Sequence, residues 1–286
     1  MKAHKTRLDQ ALVERQLVAT RSRARALIMA GHVSVDGRTA SKSGTTVSSE
    51  SRIEVASTQP YVGRGGEKLA SALHAAGVDP AGRICIDIGA STGGFTDCLL
   101  QQGAARVIAV DVGYGQLDWS LRNDPRVHVI ERFNARYIEP SVLPEDLPSP
   151  PDLITMDVSF ISVTKVLPAV GDVCAAAAEA LILVKPQFEC GPAQVGSGGV
   201  VRRAEDRRAA AHTVADGAAK LGWSLATAVP SPLRGAAGNW ECFLHLARPQ
   251  DASQHESIET VLDSMEVPDD QQPDQHLDPK PDQQPE

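Results

Sequence analysis

The chain has 286 residues, 42% apolar and 22% charged, a balance that excludes a natively unfolded protein and leaves room for one α/β domain plus a smaller module. No apolar run nears the roughly 18–20 residues that span a bilayer, and the basic residues 1–7 precede no apolar h-region, so no secretory signal is expected and the chain reads as cytoplasmic. The net charge of −8 is uneven: residues 1–60 hold ten Lys and Arg against five Asp and Glu, residues 61–248 seventeen against twenty, and residues 249–286 one against eleven.

Residues 6–30 predict two short helices. Leu8, Ala11, Leu12 and Leu17 recur at helical spacing, while Thr20 or Ser22 can cap a second helix bearing Ala24, Leu27 and Ile28, which Gly31 ends. Residues 33–38 predict a strand entering a tight Asp36-Gly37 turn, and 51–55 a further strand. Residues 1–59 thus form a small α+β module. Its Lys5, Arg7, Arg21, Arg23, Arg25 and Lys42 give a basic surface suited to a polyanion. Residues 60–66, including Arg64, read as a linker, and a helix is expected over about 67–76. Apolar runs then follow at 84–88, 107–110, 127–130, 153–156 and 181–184, separated by polar or helical segments. Unbroken apolar strands are buried on both faces, so 67–248 predicts a mostly parallel sheet covered by helices. An Ala-rich helix at 205–221 and closing strands at 222–229 and 241–247 complete it. The Asp-, Gln- and Pro-rich tail 249–286 is expected to be disordered, with Ile258, Val261 and Leu262 allowing at most a short helix.

Cys85, Cys98, Cys174, Cys190 and Cys242 are odd in number and widely spaced, without a CxxC pair or Cys/His cluster. Neither a disulfide framework nor a metal site is expected. A strand ending in Asp87 enters the turn Gly89-Ala90-Ser91-Thr92-Gly93-Gly94-Phe95, whose glycines let backbone approach a ligand. Its spacing departs from the G-x-G-x-x-G of dinucleotide folds, and no Walker sequence occurs. Asp111 ends the next strand, where an acid suits the two hydroxyls of a ribose; S-adenosylmethionine and NAD both satisfy that pattern. Asp157 ends the fourth strand, at the edge where open α/β sheets bind ligands. The Asn/Asp-Pro-Pro-aromatic sequence of amino-group methyltransferases is missing there, and no Pro-Cys pair of the cytosine-C5 type occurs. Both absences point to an oxygen acceptor. Lys185 closes an apolar strand, an unusual place for a charge: desolvated and near another cation it would suit a base, and otherwise it is a lysine snorkelling from the strand end. Lys68 at a helix start and Glu241 at a strand start are ordinary charges when taken singly.

In order and context, Lys68, Asp157, Lys185 and Glu241 resemble the Lys-Asp-Lys-Glu tetrad of FtsJ/RrmJ-like RNA ribose 2′-O-methyltransferases. Gly-Ala-Ser-Thr-Gly-Gly-Phe-Thr at 89–96, Asp-Val-Gly-Tyr-Gly-Gln-Leu at 111–117 and Asp-Val-Ser-Phe-Ile-Ser at 157–162 resemble more closely the TlyA (hemolysin A-like) family. Val-Lys-Pro-Gln-Phe-Glu at 184–189 and Gly-Gly-Val-Val at 198–201 extend the likeness, which covers about residues 5–247. The resemblance implies a Rossmann-like, S-adenosylmethionine-dependent methyltransferase preceded by an alpha-L RNA-binding module like that of a ribosomal protein. It implies 2′-O-methylation of cytidine in ribosomal RNA within ribosomal subunits, with the tetrad catalytic. The cofactor would meet Asp87, Gly89, Ala90, Ser91, Gly93, Gly94, Phe95, Asp111, Asn134 and Asp157, and RNA would meet the basic residues of the module together with Arg64. Two other classes fit parts of the sequence. One is a non-catalytic ribosome assembly factor with a vestigial pocket, against which the intact tetrad argues. The other is a membrane-active haemolysin, for which the sequence offers neither a long apolar span nor a lytic helix.

Overall fold

The computed structural model describes residues 5–15, 17–18, 20–29, 31–55, 60–248 and 257–267, and the chain divides between Pro60 and Tyr61 into two compact units. The first unit runs β1 (Lys5–Arg7), α1 (Leu8–Glu14), α2 (Arg21–Met29), β2 (Val33–Val35), β3 (Arg38–Thr39), β4 (Thr46–Ser48) and β5 (Ile53–Val55). β1 pairs antiparallel with β4, and β2 pairs antiparallel with both β3 and β5. The sequence does not announce β1 and β4, because three-residue strands carry too little alternation to register. Asp36 and Gly37 both have positive φ, 51° and 78°, the backbone that matches a two-residue hairpin to strand twist. Leu8, Leu12, Leu27, Ile28 and Val33 close a small core. Leu17, expected on a helix face, lies beyond α1 and is exposed.

The second unit runs α3 (Arg64–Ala76), β6 (Ile84–Ile88), α4 (Gly94–Gln101), β7 (Arg106–Val110), α5 (Trp119–Arg122), β8 (Val127–Ile130), β9 (Leu153–Met156), α6 (Leu167–Asp172), β10 (Glu179–Val184), α7 (Pro186–Glu189), α8 (Ala204–Ala219), β11 (Ser224–Pro230), β12 (Cys242–Ala247) and α9 (Ile258–Asp263). The strands order as β8-β7-β6-β9-β10-β12-β11. The pairings from β8 to β10 are parallel, and β12 is antiparallel to both neighbours. α3 begins at Arg64, so the second half of the expected linker is helix. Alternate residues feed two cores: Ile86, Ile88, Ile108, Ile154 and Ile182 face α6 and α8, whereas Cys85, Val107, Leu153, Leu181 and Phe243 face α3 and α4.

Within the tail expected to be disordered, the short helix allowed at Ile258, Val261 and Leu262 forms as α9, and residues 257–267 are ordered against the domain. Ser257 Oγ accepts the Thr260 N–H at 3.2 Å and caps α9. Val261, Leu262 and Met265 are buried in the larger core, against α8 and β11. Three apolar residues on one face suffice for docking, but they vanish in the composition of an acidic stretch. Residues 249–256 and 268–286 of the expected tail lie outside the described residues.

Two carboxylates, half-buried Glu179 and fully buried Asp87, link the fold to pH with opposite signs. At the strand starts, Arg83 bridges Asp152 (3.2 Å) and Glu179 (2.5 Å), and His245 Nε2 lies 3.0 Å from Glu179 Oε1. The His245 contact and then Arg83 hold the Glu179 carboxyl down at about 2, against burial. That stabilisation is complete above the unfolded value of 4.5 and is lost as the pH falls toward 2. Burial pushes Asp87 the other way, up to about 7, although the Thr96 and Thr155 hydroxyls donate to it at 2.7 and 3.1 Å. Native Asp87 keeps a proton that the unfolded chain releases near 3.8, so stability declines as pH rises toward 7 and then levels. Asp87→Asn should therefore gain on the wild type in urea titrations as pH is raised through that window. A difference that does not vary with pH would refute this reading.

Candidate active site

The turn after β6 stands at the carboxyl edge of the parallel strands. Gly89 has φ of 85°, and a Cβ there would lie 2.6 Å from the Asp157 carbonyl oxygen. Both conformation and space therefore demand glycine. Asp87 is fully buried, and its oxygens accept the hydroxyls of Thr96 on α4 and Thr155 on β9, so it braces the turn from beneath. Gly93 packs on Leu117 and Leu121, and Gly94 against the backbone of Gly63 and Gly66; these two let helices approach.

A cavity of about 430 Å³ opens over the strand ends, with Gly89, Ser91, Asp111, Asn134 and Asp157 among its walls beside apolar Val112, Phe133 and Ile161. This is the size and character of a small-molecule site. Asp111 Oδ2 accepts the Ser91 N–H at 2.8 Å and Oδ1 the Gly113 N–H at 2.6 Å. Each oxygen keeps a further lone pair, so the residues present fit a ribose diol within an adenosine-sized space. A smaller cavity of about 210 Å³ shares Gly89, Ser91 and Asp157 and adds Arg64, Lys68, Ala90, Gly94 and Phe95. Phe95 is mostly core, its ring 5.9 Å from that of Phe243.

The four residues of the predicted tetrad come together where the cavities join. Lys68 lies on α3 among buried Leu69, Ala72 and Leu73, and its Nζ donates to Glu241 Oε2 at 2.6 Å. Both are buried. Lys185 directly follows β10; its Nζ donates to Ser159 Oγ at 2.8 Å and lies 2.6 Å from Asp157 Oδ1, a charge contact outside hydrogen-bond alignment. Glu241 is also within electrostatic reach of Lys185 and Asp157, so the two pairs make one cluster. Two ammonium and two carboxylate groups balance there, which is the condition for keeping charges out of water. Burial raises the Glu241 carboxyl above its ordinary value, with Lys68 opposing.

Several site residues escape sequence reading. Gly235 makes room for Glu241: a Cβ there would fall 1.8 Å from Glu241 Oε1. Asn239, buried behind it, takes the Val201 N–H on Oδ1 at 3.0 Å and donates Nδ2 to the Gly199 carbonyl at 2.8 Å. Ser159 pins Lys185. Phe160, with φ of 64° and 91% exposed, stands 5.2 Å from Phe188, centre to centre. None has a spacing signal, since each is brought in by a loop.

In the first unit, buried Asp9 gathers three predicted RNA contacts. Arg7 Nε lies 3.0 Å from Oδ1, and Arg21 Nη2 and Arg25 Nε lie 3.0 and 3.1 Å from Oδ2. Arg7 leads in holding the Asp9 carboxyl well below the usual range, against burial. The guanidinium side chains remain about half exposed, at 50, 49 and 53%, so one acid fans out three cations. From the sequence Asp9 reads as an ordinary first-turn acid. Asp9→Asn should speed amide exchange over residues 5–55 at least about tenfold, measured on the intact chain; unchanged exchange would remove its organising role. Lys5 and Lys42 are exposed, the Arg23 side chain lies outside the described residues, and Arg64 lines the smaller cavity of the second unit.

A reversed strand inserted beside the fifth strand of an otherwise parallel sheet distinguishes Rossmann-like methyltransferases from dinucleotide-binding folds, and the second unit has that architecture. Residues 61–248 match the FtsJ-like methyltransferase model and residues 6–53 the S4 domain model. The chain belongs to the FtsJ-like methyltransferase family, with an S4 domain as its first unit. The 16S/23S rRNA (cytidine-2′-O)-methyltransferase TlyA of Mycobacterium tuberculosis is 48% identical over 251 residues, covering 87% of this chain and 92% of the relative. Hemolysin A of Brachyspira hyodysenteriae is 39% identical, covering 84% and 98%. A solved structure from Streptococcus thermophilus, described as a candidate hemolysin, superposes with a TM-score of 0.67 at 38% identity, covering 91% and 94%. Among the described residues no helix is long and apolar enough to cross a membrane.

Proposed function

We propose that the chain transfers the methyl group of S-adenosylmethionine to the 2′-hydroxyl of a cytidine in ribosomal RNA within ribosomal subunits. The observation that carries this reading is the charge-balanced Lys68–Glu241 and Lys185–Asp157 cluster, in which Asp157 lines the nucleoside-sized cavity and Lys68 the smaller one beside it. S-adenosylmethionine, when bound, supplies an electrophilic methyl group on a sulfonium. Asp111 would hold its ribose, and the glycine turn and Asn134 would frame the rest. A ribose hydroxyl is a poor nucleophile, so its proton must leave as the oxygen–carbon bond forms. Lys185 must first release its own proton to solvent; its neutral Nζ then takes the hydroxyl proton, and Asp157 and Ser159 hold the ammonium that results. Lys68, fixed by Glu241, sets positive charge beside the acceptor oxygen. A base placed in this way supplies roughly 10²–10⁴-fold. Phe160, tilted at 50° to Phe188 and 91% exposed, offers a ring to an unstacked base. The arginine fan of the S4 unit supports phosphate contacts, which position RNA without reading its sequence.

The test is incubation of the purified chain with methyl-labelled S-adenosylmethionine and unmodified bacterial ribosomal subunits, followed by nucleoside analysis. Label in 2′-O-methylcytidine is expected. Label on a base, or none in RNA, would overturn the assignment.

A further inference from the structure

The segments that carry the reacting groups, 157–163 and 185–189, are joined at more than the Lys185 contacts. Glu189, at the end of α7, accepts the Ser162 hydroxyl on Oε2 at 2.6 Å and the Val163 N–H on Oε1 at 2.9 Å. Glu189 is half-buried and its carboxylate carries no ion pair within 4.0 Å among the described residues, although Lys165 exerts a weaker pull from a distance. Three residues separate it from Lys185, and the helix they begin starts at Pro186, whose ring fixes the backbone. Across the gap, Ser159 receives Lys185 Nζ and Phe160 meets Phe188. The strained φ of 64° at Phe160 sits between the Asp157 contact and the Glu189 contact, so the loop is held at both ends of its tightest bend. A non-glycine residue persists in that conformation only where the surroundings over-determine it.

We propose that Glu189 is a positioning residue for methyl transfer: its carboxylate clamps the 157–163 loop to α7 and so sets the separation of Lys185 from Asp157 and Ser159. The clamp touches neither substrate nor cofactor and acts through Lys185. It rests on the functional reading given above. Released, the loop would let Asp157 and Ser159 drift from Nζ, and a displacement on the order of 1 Å at a reacting group can cost about 10²-fold in rate.

The experiment compares Glu189→Ala, Glu189→Gln and Ser162→Ala in the full chain. Methyl transfer to ribosomal subunits, S-adenosylhomocysteine affinity and amide exchange over 158–163 are each measured. Glu189→Ala should lower kcat ten- to a hundredfold (about 10–10²) with KM for subunits and cofactor affinity within about threefold, and should accelerate exchange at Val163. Glu189→Gln keeps an acceptor for Val163 and should recover most of the rate. Ser162→Ala, which breaks one arm only, should fall between, and keeps the test intact if Glu189→Ala fails to fold. Wild-type kcat in Glu189→Ala, equal losses in Ala and Gln, or a loss confined to cofactor affinity would each overturn the clamp. If the wild type itself transfers no methyl group, the functional reading fails, and exchange alone decides: unchanged protection at Val163 then overturns the clamp.

Discussion

Lys185→Ala is expected to lower kcat for ribosomal RNA methylation by roughly 10²–10⁴-fold and to leave S-adenosylhomocysteine binding, as calorimetry would measure it, nearly unchanged. The expectation follows from position: Nζ is held by Ser159 and Asp157 at the cavity junction but is not among the walls that would enclose an adenosine. Lys185→Arg separates proton transfer from charge. A guanidinium keeps the positive charge and cannot act as a base near neutral pH, so the arginine variant should be nearly as inactive as alanine. Substantial activity in Lys185→Arg would reassign the residue to electrostatic support and send the search for a base to Lys68.

Gly235→Ala is expected to be as damaging as loss of a tetrad member, although residue 235 has no chemistry of its own. The added methyl would occupy the position of Glu241 Oε1, and Glu241 must then swing away from Lys68. A buried ammonium stripped of its partner costs about 3–5 kcal/mol, so the melting temperature should drop together with a loss of rate on the order of 10²-fold. Cofactor affinity should change little, because residue 235 lines neither cavity. A wild-type melt and wild-type rate would show that the loop yields and that Glu241 is not confined by it.

What the sequence disclosed, and what it hid, follows from how each signal arises. Strands buried on both faces, such as residues 84–88 and 153–156, are apolar throughout and stand out from their neighbours. Lys68 and Glu241 look like surface charges because the reason for their burial is remote: they meet across 173 positions, and only family resemblance joined them beforehand. Asp87 misleads in the other direction. An acid at a strand end before a glycine turn suggests a ligand contact, yet two threonine hydroxyls consume it. Asp9 and Glu189 were legible as letters but not as hubs, since a carboxylate that gathers arginines or clamps a loop has the same spelling as one in water. Helix α9 was legible as a short helix, but its docking was hidden because its apolar face is only three residues wide.

The reversal of β12 also fixes when in its synthesis the protein becomes an enzyme. Because β12 runs against β10, pairing Cys242 with Val184, its first residues arrive at the edge where the parallel strands end, and Glu241 with them. A chain growing on its own ribosome therefore completes the arginine fan and the glycine turn long before it owns a finished tetrad. Until residue 241 has emerged and the last strand has slid between β10 and β11, Lys68 lacks its counter-charge.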